Sequence, residues 1–315
     1  MKHVVVPRRM RRPATVTAVI PCYNYGRYLP SVVSSVLRQP GVDARVIIVD
    51  DASPDGSGEV ARRLAHGDPR IQAVVHDENQ GHIATYNDGL ARVDSEFVTL
   101  LSADDLLAPG ALSRAAALMQ TYPDVGLVYG SIAIFAHDRE KRPTRARSYY
   151  LWRIWGGDEW IGGVAGSGYN PIASPEAVVR TSVMRDVGDY NPRLPHSGDL
   201  EYWLRIAARA DVGQIHGPLQ AYYRVHGGNM HTRSFGTRES DLRERFAAFS
   251  VLCDDDAMAG LPTAPLRFEQ ARETIATQAE DLLAEEQAHG GERSHSLVAF
   301  LRSLDEARMG APERV

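Results

Sequence analysis

Arg45-Val46-Ile47-Ile48-Val49-Asp50-Asp51-Ala52-Ser53-Pro54-Asp55-Gly56-Ser57 is an apolar, β-branched run that stops on two carboxylates and then breaks into Pro and Gly. Such a run reads as a buried strand, the Asp-rich segment as its loop, and residues 59–64 as the opening of a helix. The same unit occurs on either side. Upstream, residues 16–20 form a β-branched run closed by Pro21, followed by a polar turn and then helical spacing over 29–37. Downstream, 71–75 predicts a third strand, 83–91 a third helix, and 97–101 a fourth strand that runs directly into Ser102-Ala103-Asp104-Asp105. Continuous apolar strands alternating with amphipathic helices predict an α/β fold with a mostly parallel central sheet, helices on both faces and right-handed crossovers. Ligands bind such sheets at the carboxyl ends of the strands, so the loops at 21–26, 50–57 and 102–105 should converge on one crevice.

Further along, 109–121 reads as a helix, 125–135 as a strand and the charged stretch 137–147 as an exposed loop. Residues 149–170, rich in Trp, Gly and Tyr, suit either a mobile aromatic-lined binding loop or an irregular packed connection. Strand-like and helical pieces at 176–183, 200–210 and 219–225 would complete the sheet. Long charged amphipathic stretches at 238–253, 267–286 and 294–308 predict a helical C-terminal appendage over 236–315, and residues 1–14 a basic, flexible tail.

Composition narrows the function. With 315 residues and 43% hydrophobic side chains the chain can fill a sizeable core. Its 35 basic and 40 acidic residues give a net charge of -5, which offers no drive toward nucleic acid. Arg8, Arg9, Arg11 and Arg12 read as a solvated tail, or at most as a peripheral contact with anionic lipid. Cys22 and Cys253 lie far apart in the chain, in neither a disulfide framework nor a zinc motif. The absence of a long apolar run and of a secretory leader pattern leads to the expectation of a cytoplasmic protein.

Two adjacent carboxylates at a buried strand end repel one another and are kept where a cation or hydrogen bonds offset that cost. For Asp104-Asp105 the alternatives are a Mg²⁺ or Mn²⁺ shared with a diphosphate, or a cap on the following helix. Asp50-Asp51 has the same ambiguity, since a carboxylate there can cap a helix or accept the N–H of a base or a ribose hydroxyl. Asp199, ahead of an apolar helical run, reads as a helix N-cap or as a general base.

Taken together, Val19-Ile20-Pro21-Cys22-Tyr23-Asn24, Tyr28-Leu29, Ser35-Val36-Leu37, Ile48 to Ser53 with Asp55-Gly56-Ser57, Asn79-Gln80-Gly81, Asn87 and Ser102-Ala103-Asp104-Asp105 resemble, in order and spacing, the family 2 glycosyltransferases with the GT-A fold. The likeness is close over residues 15–135 and looser through Ser197-Gly198-Asp199-Leu200-Glu201-Tyr202-Trp203-Leu204-Arg205 and Tyr223-Arg224-Val225-His226. It implies a GT-A, Rossmann-like nucleotide-sugar and acceptor domain over 15–235. The implied activity is inverting, hexosyltransferase-type transfer of a sugar from a nucleoside diphosphate to an acceptor, helped by Mn²⁺ or Mg²⁺. By position, Pro21, Tyr23, Asn24, Asp51 and Asn79 would contact the nucleotide, with Asp51 facing the base. Asp105 would ligate the metal and Asp104 would contact ribose or the metal's waters. Asp199 would be the base, with Trp203 and Arg205 behind it and Glu201 next in line. His226, with His231 as substitute, would complete the metal shell, and Arg224 would serve a phosphate or the structure. Tyr86 stands where many members have Arg, which puts phosphate contacts from that helix in doubt. Gly198-Asp199 replaces the commoner Glu-Asp, leaving one carboxylate to take the proton.

The competing expectations are a sugar-nucleotide nucleotidyltransferase and a non-catalytic nucleotide-binding module of the same fold. The first should carry a Gly-rich loop with Arg and Lys after its first strand, which 21–26 is not. The acceptor, whether glycan, lipid carrier, peptide or metabolite, is not readable, and the C-terminal helices would bind it or build a homodimer.

Overall fold

The computed structural model describes residues 3–137, 149–227, 237–288 and 295–309. The expected order is present: β2 (Ala14–Cys22), α1 (Leu29–Leu37), β3 (Val42–Asp50), α2 (Ser57–Gly67), β4 (Ile71–Val75), α3 (His82–Ala91) and β5 (Phe97–Leu100). The four strands pair in parallel in the order β5-β2-β3-β4. They end together at Cys22, Asp50, Val75 and Leu100, which brings the polar loops to one rim.

The second half widens the same sheet. After β6 (Leu106–Leu107) and α4 (Ala111–Thr121), β7 (Val125–Phe135) pairs in parallel with the long β10 (Asp211–Arg224). β9 (Val178–Arg180) runs antiparallel between β5 and β7, so β5, β7 and β10 all point the same way. β6 and β8 (Leu151–Trp155) flank β10 in the opposite sense, and β1 (His3–Val5) closes the edge against β8. Most strands therefore share one direction, and the reversed ones are short pieces of the second half.

Period-two alternation along the strands separates two cores. Ala18, Ile20, Val46 and Ile48 face α1 and α4, whereas Val19, Ile47 and Val49 face α3. Helix α3 lies close on the sheet because Gly89 has no side chain; a Cβ there would come within 2.3 Å of Val19 Cγ1. That closeness sets the height of the loop just before α3, which contributes to the rim.

Three expectations change. Residues 149–170 are a packed β-strand and helix, β8 and α5 (Gly157–Ser167), with Trp152, Trp155 and Trp160 buried. The tryptophans serve the core while Tyr149, Tyr150 and Tyr169 stay exposed, so the packed reading replaces the mobile loop. The N-terminal segment is partly structured, since β1 pairs with β8 and Arg12 bonds Glu96 at 2.9 Å. The C-terminal helices, Arg238–Phe249, Ala264–Ala288 and His295–Met309, are present but do not stand apart. Leu242, Phe249, Ile275, Leu297 and Phe300 belong to the same apolar cluster as Val19, Trp160 and Trp203. Among the described residues of these helices, Leu266, 63% exposed, is the one exposed large apolar side chain. No helix among the described residues is long and apolar enough to cross a membrane. The charged loop expected at 137–147 lies outside the described residues after His137.

Candidate active site

The strand ends open into a crevice of about 840 Å³ lined by Pro21, Tyr23, Asn24, Asp51, Asp104, Asp105 and Asp199, among others. Segments far apart in the chain thus meet where the parallel-sheet reading requires. Left-handed backbone is concentrated here: Asn24 (φ 63°), Ala52 (φ 55°) and Ser174 (φ 81°) are the described non-glycine residues with positive φ. Asn24 and Ser174 line the crevice and Ala52 follows Asp51. Backbone held in this region is unfavourable and accumulates at functional sites.

Asp51 is held by its neighbours. Its Oδ1 accepts from the Gln80 amide at 2.8 Å and its Oδ2 from the Gly81 amide at 2.9 Å. The Asn79 side chain donates to the Asp51 carbonyl at 3.3 Å, so Asn79 secures the loop and does not line the crevice. Behind Asp51 stands His76, which the sequence reading missed. Its Nδ1 meets Asp51 Oδ1 at 2.9 Å and its Nε2 meets Asp88 Oδ2 at 3.1 Å. Both acceptors are carboxylates, so both ring nitrogens must carry protons. Burial works against the imidazolium, but the bonds to Asp51 and Asp88 prevail and raise the His76 pKa; Asp88 also pairs with Arg92 at 2.9 Å. Asp51 is likewise opposed by burial yet shifts down through the bonds from Gln80 and His76.

The pH dependence follows from these directions. A raised His76 contributes stability that is present below the unfolded value of 6.5 and lost as pH rises through its higher folded value. Lowered Asp51 and Asp88 contribute stability present above 3.8 and lost as pH falls through their folded values. His76→Gln is therefore expected to cost about 2 kcal/mol near pH 6, with the deficit shrinking at alkaline pH. Denaturant unfolding at several pH values measures it, and a pH-independent deficit would contradict the imidazolium.

On the β5 side, Asp104 Oδ2 meets His226 Nε2 at 2.9 Å, and the His226 ring packs against Tyr25 and Tyr28 at 5.6 and 5.7 Å. Asp105 lies deeper, 2% exposed, and its Oδ1 accepts from the Arg224 amide at 2.8 Å. Burial, then the charge of Asp104, pushes the Asp105 carboxyl well above the ordinary range. Arg224 is not in the crevice lining. Its guanidinium is buried between the Tyr28 and Phe135 rings, 4.4 and 4.3 Å from their centroids, and donates to the Asp104 carbonyl at 2.7 Å. The phosphate reading of Arg224 therefore gives way to a structural one that fixes the acidic turn. His231 lies outside the described residues.

Asp199 sits in the first turn of α7 (Gly198–Ala207), where Ser197 occupies the N-cap. The cap reading of Asp199 thus falls away, and its carboxylate faces the crevice with a hydrogen bond from Ser174 Oγ. Burial raises its pKa, against the lowering effect of Ser174. The C-terminal helices hold this turn, since Ser197 Oγ donates to the Glu244 carbonyl at 2.6 Å. Glu201 is turned away, buried and paired with Arg205 at 2.8 Å, so both belong to the structure. Asn87 clamps Tyr190, accepting from its amide at 2.8 Å and donating to its carbonyl at 3.0 Å.

Besides His76, sequence reading missed Glu176 and Arg27. Glu176 is 2% exposed; Oε1 accepts from the Ala173 amide at 2.9 Å and Oε2 has no partner among the described residues. Burial, and then the charge of Asp199, pushes its carboxyl up to about 7. Arg27 lines the crevice mouth. Pro175 beside a lone Glu ahead of an apolar run was the only trace of the first.

The lining carries the carboxylates of Asp51, Asp104, Asp105 and Asp199 against Arg27, His82 and His196. Anionic phosphates would meet repulsion at the Asp104 side unless a cation intervened. The oxygen and imidazole donors there suit Mg²⁺ or Mn²⁺, which take few protein ligands and leave places for phosphate and water. No cluster of three or more potential metal-ligating side chains is present among the described residues.

Known proteins resemble this chain in sequence and in shape. A family model described as glycosyl transferase family 2 matches residues 17–170. An uncharacterized glycosyltransferase of Nostoc sp. is 28% identical over 240 residues, covering 73% of this chain and 71% of its own. Among solved structures, S. aureus TarS 1-349 in complex with UDP-GlcNAc superposes with a TM-score of 0.56 at 14% identity, over 95% of this chain and 93% of that one. The mannosyltransferase PcManGT from Pyrobaculum calidifontis, in complex with GDP-Man and Mn²⁺, gives 0.56 at 18% identity, over 96% and 86%.

Proposed function

The chain belongs to glycosyl transferase family 2 through residues 17–170, and on that premise we propose that it is a metal-dependent, inverting transferase that moves a sugar from a nucleoside diphosphate to an acceptor hydroxyl. The observation that carries this reading is the single crevice that joins the Asp51 loop, the Asp104–His226 pair and Asp199. Family membership sets the nucleotidyltransferase alternative aside.

Pro21, Tyr23, Asn24 and Asp51 line the part of the crevice suited to the nucleoside, with Tyr23, 47% exposed, available to a base. His76 and Asn79 act on the nucleotide through Asp51. The Asp104–His226 contact favours these two as metal ligands, with Asp105 behind them committed to the Arg224 amide. This moves the metal role the sequence suggested for Asp105 to Asp104. A bound Mg²⁺ or Mn²⁺ would offset the charge of the diphosphate as it leaves.

Asp199 performs the protein's own chemical step. Its carboxylate takes the proton of the acceptor hydroxyl as that oxygen bonds to the anomeric carbon from the face opposite the diphosphate. The bond to the diphosphate breaks and its electron pair leaves with the phosphate oxygen, so the anomeric configuration inverts. Ser174 aims the carboxylate, and its raised pKa makes it a stronger base than an exposed aspartate.

A panel of UDP-GlcNAc, UDP-glucose, GDP-mannose and their nucleoside diphosphates, with and without Mn²⁺, tests the reading by thermal stabilisation. Occupancy at 100 times Kd corresponds to about 2.7 kcal/mol, a shift of several degrees for a chain of this size. A non-catalytic module would show the same stabilisation without sugar turnover. No stabilisation by any member would count against the donor class.

A further inference from the structure

Tyr86 lines the crevice and carries an unused polar group. It lies on α3, half-buried, with its ring packed edge-on against His82 at 5.4 Å and Tyr190 at 5.6 Å; Tyr190 stacks on Tyr202 at 4.0 Å. The ring is therefore fixed, while its hydroxyl has no hydrogen-bond partner among the described residues. Burial, and then the charges of Asp199 and Asp104, raise the pKa of this phenol, so it stays protonated and can donate.

We propose that the Tyr86 hydroxyl is a recognition group for the transferred sugar, donating a hydrogen bond to one of its hydroxyls. This rests on the donor reading given above. If Asp104 serves the diphosphate and Asp199 the acceptor, the sugar lies between them, in the crevice that Tyr86 lines together with both. Carboxylates only accept hydrogen bonds, whereas a sugar hydroxyl donates and accepts. One that donates to an aspartate at this place has its acceptor lone pairs free, and a protonated phenol is their complement. A neutral donor suits a neutral sugar better than it suits phosphate, for which charge-assisted donors are stronger.

Tyr86→Phe removes the hydroxyl and keeps the packed ring. Calorimetry in Mn²⁺ would compare the wild type and this variant with UDP-GlcNAc against UDP, and GDP-mannose against GDP. The expected result is a nucleotide-sugar Kd raised about five- to tenfold with the nucleoside diphosphate Kd unchanged within about twofold. Equal losses for sugar nucleotide and diphosphate would assign the hydroxyl to phosphate and overturn the proposal, as would no change in either. A wild type that binds neither pair would overturn the donor reading itself, an outcome visible before any variant is made.

Discussion

Asp199→Asn is expected to lower transfer by about 10²- to 10⁴-fold, the usual contribution of a positioned general base, while nucleoside diphosphate affinity stays near the wild-type value. The amide keeps the size of the carboxylate and can still meet Ser174, so the turn at the start of α7 should survive. What disappears is the acceptor for the proton. Glu201 cannot replace it, because it is buried against Arg205. In the wild type, activity should fall as pH drops through the Asp199 pKa, and because that value is raised, the acid limb should lie above the ordinary 3.8. Rate measurements across pH, paired with calorimetry of the nucleotide, separate the two effects. Full activity in the variant would move the base to another group, with Glu176 the candidate, a buried carboxyl with one oxygen unpartnered among the described residues.

Removal of divalent metal, or Asp104→Asn, is expected to weaken nucleoside diphosphate binding on the order of 10- to 100-fold, the range seen when even an outer-shell partner of a metal is lost. The reason is electrostatic, since the Asp104 carboxylate stands at the crevice with Asp105 buried behind it, and the nearby Arg224 is buried between two rings. The comparison with Asp105→Asn separates the two aspartates. If His226 and Asp104 hold the ion, the Asp104 change should abolish the Mn²⁺-dependent gain and the Asp105 change should only reduce it, while loosening the Arg224 amide. Equal affinity with and without Mn²⁺ in the wild type would refute metal dependence. The reverse order of the two variants would restore Asp105 as the ligand.

Much of this was legible because the signals are local. A β-branched run ending in Asp50-Asp51 or Asp104-Asp105 states in a few residues both that a strand is buried and that its end is polar. Parallel pairing then places such ends side by side, so the crevice of Pro21, Asp51 and Asp104 followed from the pattern before any contact was known. Aromatic content at 149–170 left two readings open because Trp and Tyr have the same composition whether they line a ligand or fill a core.

The chain's own order of residues determined the strand–helix alternation, the carboxyl-end position of the acidic loops and the candidacy of Asp199. Tertiary structure alone decided how those groups are arranged. It put His226 on Asp104, took Arg224 out of the crevice and into a sandwich of Tyr28 and Phe135, and set His76 beneath Asp51. It also merged the C-terminal helices into the core that supports Asp199. These are contacts between residues tens to more than a hundred positions apart, and their energies depend on burial and distance, neither of which the sequence spacing carries.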